Sequence, residues 1–592
     1  MRLARSLLFI SSLVAILTFA ACGGGDEKPA ATATTRPVAT SSPVGTAGPT
    51  PITSASATAV ATSVTTGVAL FDKAELGKYE LEGIRYGGTL KWPSRFANAL
   101  DPKLNNSGIW PDVRPNLEKL VGWAAVEGQE YLQLAPELAE SWEASADLKT
   151  YTFKIRKGVK WHNVAPANGR EFTAQDALFN INRYREKDAV NYASYLQIDS
   201  AEAPDRYTVV LKLKEPTAFL LNDMFAALDY NVPPELVAEA GGTLTTKVVG
   251  TGPYIMKSFQ FRQGSSHMRN PDYWRKDAKG NVLPYIDAVE VAFISDDATR
   301  VAAFRAGQLD TPESVRFDDM VALSKSMQLR VFSNGQPFSG QGFTFRSTKA
   351  PWNDVRVRRA INMMLDKDKY GDLIEGPGRW IYSGPLPWAI VFSGQPATLD
   401  KLGPYAKFNP TEAKKLLVEA GFQDGKIKSP TPLAAAQGNP YGPRTALFQS
   451  LWKEQGFEFE LQSMDFATYN PYYFTRSIPD IALTHHILSQ PNLNWFAQNK
   501  FHPDAVQNTA WINDPEINKM LVQIKVTTDP AKQREFAKAL WDFDTLGSYT
   551  VWTPVAKGYQ VWSTRTRNHV FRQGGTGFMQ LHWLADAPRT AP

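Results

Sequence analysis

Hydrophobic and polar positions alternate in several short stretches of this chain. In "LKTYTFKIRKGVKWHN" (148–163), Tyr151, Phe153 and Ile155 recur at every second position and share one face of an extended chain. Lys157–Gly158 then reads as a turn, with Val159 and Trp161 on a returning strand, so the stretch predicts a hairpin. "RYTVVLKLKEP" (206–216) alternates in the same way and stops at Pro216. "RYGGTLKWPS" (85–94) gives a strand that leaves a glycine pair and ends at Pro93. "VVGTGPYIMKSFQ" (248–260) gives another.

Other stretches carry the helical period. After Thr173, a candidate N-cap, Leu178, Ile181 and Tyr184 recur at helical spacing, and Asp176 sits where a capping box needs an acceptor. "VEVAFISDDATRVAAFRAGQLD" (289–310) predicts a strand and then a helix, with Asp297 as N-cap and Gly307 as C-cap. In "FNPTEAKKLLVEAGF" (408–422), Asn409 caps, Pro410 fills the first turn and Glu412 lies three residues past the cap. Ala413, Leu416, Leu417 and Ala420 make the buried stripe, and Gly421 stops the helix. Strands and helices interspersed in this way predict an α/β protein with mixed sheets. No repeat occurs at solenoid or propeller periods.

The chain has 592 residues, 43% hydrophobic and 21% charged, ordinary values for globular domains. Its net charge of +5 is small for that length and shows no basic stripe, so nucleic acid is not an expected partner. The 16 Trp, 21 Tyr and 32 Phe supply core and also suit stacking walls in a binding cleft.

The N-terminus carries a different signal. Arg2 and Arg5 precede an apolar run, Leu7 to Ala21, that is short for a membrane span. Residues 1–21 therefore read as a signal peptide. Cys22 is the only cysteine, which rules out an internal disulfide and a cysteine-based zinc site. Its place resembles the lipobox of bacterial lipoproteins, where the thiol is acylated; Ala20, Ala21 and Gly23 fit, and Phe19 departs from the preferred Leu. Residues 22–70, rich in Ala, Thr, Ser and Pro, read as a lipidated end and a tether that does not fold. Gly23 to Gly67 would span roughly 35–40 Å as a coil.

Between Leu134 and Glu186, "LAPELAESWEASADLKTYTFKIRKGVKWHNVAPANGREFTAQDALFNINRYRE" resembles the signature of the family 5 extracellular solute-binding proteins, the oligopeptide, dipeptide and nickel receptors of ABC importers. "GGTLKW", "ALDP", "GTGPYIMKSF", "RNPDYW", "LPYIDAVEV", "RVAAFRAGQLD", "APWNDVRVRRAINMMLDKD" and "FNPTEAKKLLVEAGF" agree with it in order. The resemblance implies a two-lobed α/β fold of the periplasmic-binding-protein type with a two-strand hinge. Lobe I would be residues 71–341, with an inserted subdomain at about 105–240, and would be completed by 557–592. Lobe II would be 342–556. The chain would cross the hinge near "SGQGFTFRS" (339–347) and "PVAKGYQVW" (554–562).

The implied partners are a small solute, an ABC permease with its ATPase subunits, and a membrane reached through the lipid anchor. The protein would act as a monomer outside the cytoplasmic membrane. No cofactor and no catalysis is implied. "GTGPY" (250–254) lacks the further residues of a phosphate loop and reads as a turn where only glycine fits; His162 reads as a packed, hydrogen-bonded histidine.

Candidate ligand contacts follow from the same resemblance. Trp380, Tyr382 and Trp388 lie in "GPGRWIYSGPLPW" (376–388), a loop that borders the cleft in this family. Asn508 lies in "VQNTAWINDPEINKML" (506–521). Ser94 and Phe96, just past "GGTLKW", are further candidates. In "PDIALTHHILSQPN" (479–492), His485 and His486 fall where peptide receptors carry a Gly-Trp pair. Ser489 falls near the Asp that pairs with a peptide's amino terminus, and Trp495 follows. No charged residue lies from Ile481 to Asn499. Burying an ammonium without a counter-ion is costly, so a neutral or polyhydroxylated solute such as an oligosaccharide fits better than a free peptide. The alternatives are an oligopeptide receptor that draws its carboxylate from another loop, and a sensor or surface enzyme on the same fold. Adjacent strand residues point to opposite faces, which argues against one metal ion between His485 and His486.

Overall fold

The computed structural model describes residues 68–70 and, from 82 to 590, all but 96–99, 105–109, 125–132, 190–191, 226–228, 335–338, 394, 437–440, 465–468, 470–479, 488–491, 506 and 569–581. The signal peptide, Cys22, Phe96 and Ser489 lie outside the described residues. No helix among the described residues is long and apolar enough to cross a membrane.

The alternating stretch forms the strand Thr150–Ile155, with Tyr151, Phe153 and Ile155 buried. The expected hairpin does not form. This strand pairs antiparallel with Ala139–Ala144 and Thr208–Leu213, and the return leg through Val159 and Trp161 does not join it. Gly158 turns the chain at φ +77, after which Val159 and Trp161 drop into the same core as Phe153. Trp161 N–H donates to the carbonyl of Arg170, at 2.9 Å. Local alternation sets which face is buried; a distant strand supplies the ladder.

The helix Ala174–Tyr184 opens with the expected capping box: the Thr173 N–H donates to Asp176 Oδ2 at 2.9 Å. Asn409 caps Pro410–Glu419 by accepting from Glu412 N–H at 3.1 Å, and Ala413 and Leu417 are fully buried beneath it. The cap expected at Asp297 is one residue earlier. Asp296 accepts from Thr299 N–H at 2.7 Å and Asp297 is the first helical residue, because an N-cap side chain reaches the amide three residues on. Gly307 follows that helix at φ +72.

Among the described residues, four sheets of four or more strands organise the fold. One holds Ala139–Ala144, Thr150–Ile155, Thr208–Leu213 and Ile198–Asp205, packed on a core with Trp161, Ile181 and Tyr184. A second orders Tyr254–Gln260, Gly264–Arg269, Ala288–Phe293 and Thr89–Ser94, with the last pair parallel. A third orders Val68–Leu70, Leu329–Asn334, Gly558–Ser563 and Glu313–Val315. Val68–Leu70 pairs parallel with Leu329–Val331, so the last three residues expected in the tether form an edge strand. The fourth, six-stranded sheet orders Trp380–Tyr382, Thr550–Ala556, Ser339–Phe345, Ile481–Ile487, Leu433–Ala436 and Leu461–Met464. Phe343, Phe345, Trp352 and Trp452 form one core against it, and Trp388, Phe496, Trp541 and Trp552 another.

The chain passes twice between the third and fourth sheets. One connection runs from Asn334 to Ser339, the other from Ala556 to Gly558. Asn334 pairs with Gly558 in one sheet and Gln341 with Thr553 in the other, so the strands flanking the two crossings are antiparallel neighbours. Few backbone dihedrals separate the two sheets at this point, which is the geometry of a hinge.

Candidate functional site

The pairing of the six-stranded sheet gathers several strand ends at one edge. Leu433–Ala436, Leu461–Met464 and Ile481–Ile487 are mutually parallel, so their C-terminal ends share that edge. Ser339 stands opposite Ile487, and Trp380 opposite Ala556. The start of Ser339–Phe345, the end of Thr550–Ala556 and the start of Trp380–Tyr382 therefore lie at the same edge. Both crossings to the third sheet leave from it. In open α/β sheets, ligands bind outside the carboxyl ends of parallel strands.

Three side chains from distant parts of the chain meet near this edge. Arg444, in the first turn of Tyr441–Gln455, donates through Nη1 to Gln341 Oε1 at 2.5 Å and through Nη2 to Glu375 Oε1. Gln341 is buried, and its own carbonyl accepts from Thr553 Oγ1 at 3.0 Å. Sequence reasoning missed all three residues. Their chemistry is ordinary and only tertiary pairing brings them together.

The predicted contacts divide by environment. Trp380 is half-buried at the edge; its Nε1–H donates to Asp372 Oδ1 at 2.8 Å, and its ring lies over Gly371, where a Cβ would come within 2.5 Å of it. Tyr382 donates to Asp368 and meets Trp380 edge-to-face at 5.1 Å. Burial, then the Asp368 carboxylate, raises the Tyr382 phenol above its usual range. Trp495 is half-buried in the first turn of Leu493–Phe501, whose cap is Asn492. His485 and His486 occupy strand positions opposite Gln341 and Gly340.

Ser94, Trp388 and Asn508 have other surroundings. Trp388 is fully buried in the core that also holds Leu386, Trp541 and Phe496. Both Asn508 amide protons are used inside its own loop, donated to the carbonyls of His502 (3.0 Å) and Ile512 (2.7 Å). Ser94 is buried at the end of Thr89–Ser94 and donates to Asp112 Oδ2 at 3.1 Å.

Asp112 belongs to a cluster that holds the residue types of a nucleophilic triad. Ser265 Oγ donates to Asp112 Oδ1 at 2.8 Å and accepts from His267 Nε2, also at 2.8 Å. The order is wrong for a triad, since the hydroxyl and not the imidazole sits between the other two. Burial pushes His267 down to about 3 and raises the Asp112 carboxyl. His162 is a packed histidine as expected. Its Nε2 lies 2.9 Å from the carbonyl of Gly252, and its Nδ1 accepts from Gly250 N–H at 3.2 Å. The G-x-G turn beneath it allows no Cβ: one on Gly250 would lie 1.9 Å from the carbonyl oxygen of Asn116. Among the described residues no group of three or more His, Cys, Asp or Glu could hold a metal ion.

The profile of the bacterial extracellular solute-binding proteins, family 5 (middle region), matches residues 133–508. A putative ABC transporter peptide-binding protein of Brucella ovis is 27% identical over 461 residues, 74% of this chain and 82% of that one. Di/tripeptide-binding protein 2 of Pseudomonas aeruginosa is 31% identical over 327 residues, 52% of this chain and 58% of its own length. Two solved structures share the fold. The oligopeptide-binding protein AppA of Bacillus subtilis, in complex with a nonapeptide, has a TM-score of 0.67 at 20% identity, covering 85% of this chain and 100% of that one. The binding protein MoaA of A. tumefaciens R10, in complex with mannopinic acid, has a TM-score of 0.65 at 22% identity, covering 84% and 99%.

Proposed function

The chain belongs to the family 5 bacterial extracellular solute-binding proteins, and from that membership we propose that it is an ABC-importer receptor that closes two lobes on a neutral or polyhydroxylated solute. The observation that carries this reading is the shared edge of the six-stranded sheet. Strand ends converge there, and the two crossings leave from the same edge. A solute seated at that edge touches both sides of the hinge only when the protein is closed, so binding favours closure. Lobe I is assigned to 71–341 and 557–592, with its subdomain at about 105–240, and lobe II to 342–556.

Trp380, Tyr382, Trp495, His485, His486, Ser489 and Phe96 are assigned to the solute; Ser94, Trp388 and Asn508 hold the walls in position. Half-buried aromatic rings beside hydroxyls and amides suit a sugar or a polyol. The permease and its ATPase are the receiving partners. Cys22, acylated after removal of residues 1–21, anchors the protein outside the cytoplasmic membrane, and the segment that follows is its leash.

One observation favours a second reading, an oligopeptide receptor with a relocated carboxylate. Glu375 lies near the edge. Against this, Arg444 already neutralises it.

Thermal unfolding against a panel of solutes tests the proposal, because a ligand of the folded state raises the melting temperature by mass action. Polyols, oligosaccharides or sugar-amino acid conjugates should raise it. Stabilisation by free peptides that is lost on acetylation of their amino termini would replace this cargo with the second reading.

A further inference from the structure

The segment Glu215–Phe219 touches two cores in turn. The strand before it, Thr208–Leu213, packs on the core around Tyr151, Phe153 and Trp161. Leu220 and Leu221, directly after it, return to that same core. Phe219 turns away, and Ala218 beside it packs on the same side. Phe219 is buried among Leu386, Trp388, Leu493, Phe496 and Trp541, which cover the six-stranded sheet.

The base of the segment is fixed on its own side. Tyr151 OH donates to the carbonyl of Thr217 at 2.6 Å, and Phe219 N–H donates to Thr217 Oγ1 at 3.2 Å. Pro216 restricts the backbone just before it. Two polar contacts then reach across to the helix Pro515–Val526. Ala218 N–H donates to the carbonyl of Lys525 at 2.8 Å, and Lys525 Nζ donates to Glu215 Oε2 at 2.7 Å. The last carbonyls of a helix lack intrahelical partners, so Lys525 offers a free acceptor and a cation at one place. A backbone hydrogen bond, an ion pair and an aromatic plug thus join one short turn to the other core.

We infer that Glu215–Phe219 is a latch between the two lobes. Engaged, it holds the protein closed; released, it lets the lobes open. It uses none of the residues assigned to the solute. Its strength therefore sets the closed population and scales the affinity for every solute by the same factor. The inference rests on the two-lobe reading, but its test is read without any solute, so failure to find a cargo leaves the test intact.

The experiment uses pulsed dipolar spectroscopy on the full chain carrying Cys22→Ser, which removes its only cysteine. Spin labels go on Glu143→Cys and Lys453→Cys, exposed positions on opposite sides of the hinge. The solute-free protein should show a distribution dominated by a short separation. Phe219→Ala should add a longer-distance population. Glu215→Lys, an exposed charge reversal facing Lys525, should move the distribution the same way by less, with an unchanged melting temperature. An unchanged distance distribution in both variants overturns the latch. So does a lower melting temperature for Phe219→Ala with unchanged distances, which would make Phe219 a packing contact only.

Discussion

Arg444 Nη1 donates to the side-chain oxygen of Gln341 at 2.5 Å, across 103 positions of sequence. Gln341 lies on the strand that follows one crossing, and Arg444 lies in the first turn of a helix near the edge where strand ends gather. This contact ties the crossing strand to the wall of the candidate site, and Glu375 supplies the counter-charge.

Removing Arg444 therefore leaves a mostly buried carboxylate and a buried amide without their partner. Arg444→Ala should cost about 3–5 kcal/mol. The double variant Arg444→Met with Glu375→Gln should cost clearly less than that single change, because no charge is then left uncompensated. Urea unfolding of the single and double variants measures the coupling. A loss in the double variant equal to the sum of the losses in Arg444→Met and Glu375→Gln alone would mean the pair is not coupled.

Two glycines separate steric from conformational constraint. A Cβ on Gly250 would collide with the backbone carbonyl of Asn116, so Gly250→Ala should cost about 3 kcal/mol or more. Gly158 has open space around its Cβ position and φ +77, so Gly158→Ala should cost only the left-handed backbone penalty, about 1–2 kcal/mol. Chemical denaturation that ranked the two the other way would contradict the packing described at the G-x-G turn.

Stability should fall in mild acid. Burial lowers the folded-state value of His162 to about 4, below its ordinary 6.5. Between these values the unfolded chain binds the extra proton, so stability rises with pH across that window. The contribution is complete above pH 6.5 and is lost as pH falls to about 4. For His162 alone it amounts to about 3 kcal/mol. His267, lowered to about 3, acts in the same direction. In unfolding titrations from pH 4 to 7, His162→Gln should reduce the pH slope by about one proton. An unaltered slope would mean that His162 is charged in the folded protein.

Trp380 and Trp495 are half-buried rings assigned to the solute in the proposed function. With a solute from the thermal panel, Trp380→Ala and Trp495→Ala should each weaken binding by about tenfold, or about 1.4 kcal/mol. Trp380→Phe should retain most of the affinity, since it keeps a ring and loses only the Asp372 bond. Calorimetric titration reads these values, and full affinity in both alanine variants would remove these rings from the site.

Much of the architecture was legible because it is written locally. The Thr173–Asp176 box and the Asn409 cap each lie within one turn of helix, and burial at Tyr151, Phe153 and Ile155 follows from the strand period. The partner of that strand was not legible, since alternation fixes a face and not a neighbour. The same limit governs the site. Trp380, Tyr382 and Trp495 stand out in the sequence as aromatics in a Gly- and Pro-rich stretch or within an uncharged one. Gln341, Glu375 and Arg444 become a unit only through tertiary packing of a strand and two helices. Asn508 and Ser94 illustrate the converse, as polar residues whose hydrogen bonds are used in holding a loop and a strand end.

The central claim is that the edge of the six-stranded sheet captures one small solute and releases it unchanged. Native mass spectrometry of the protein, purified without denaturation and then unfolded, tests this most directly. The account predicts a one-to-one complex with a small molecule that lacks a free peptide amino terminus and is recovered intact. Recovery of a chemically altered product, or of a free peptide, would contradict it.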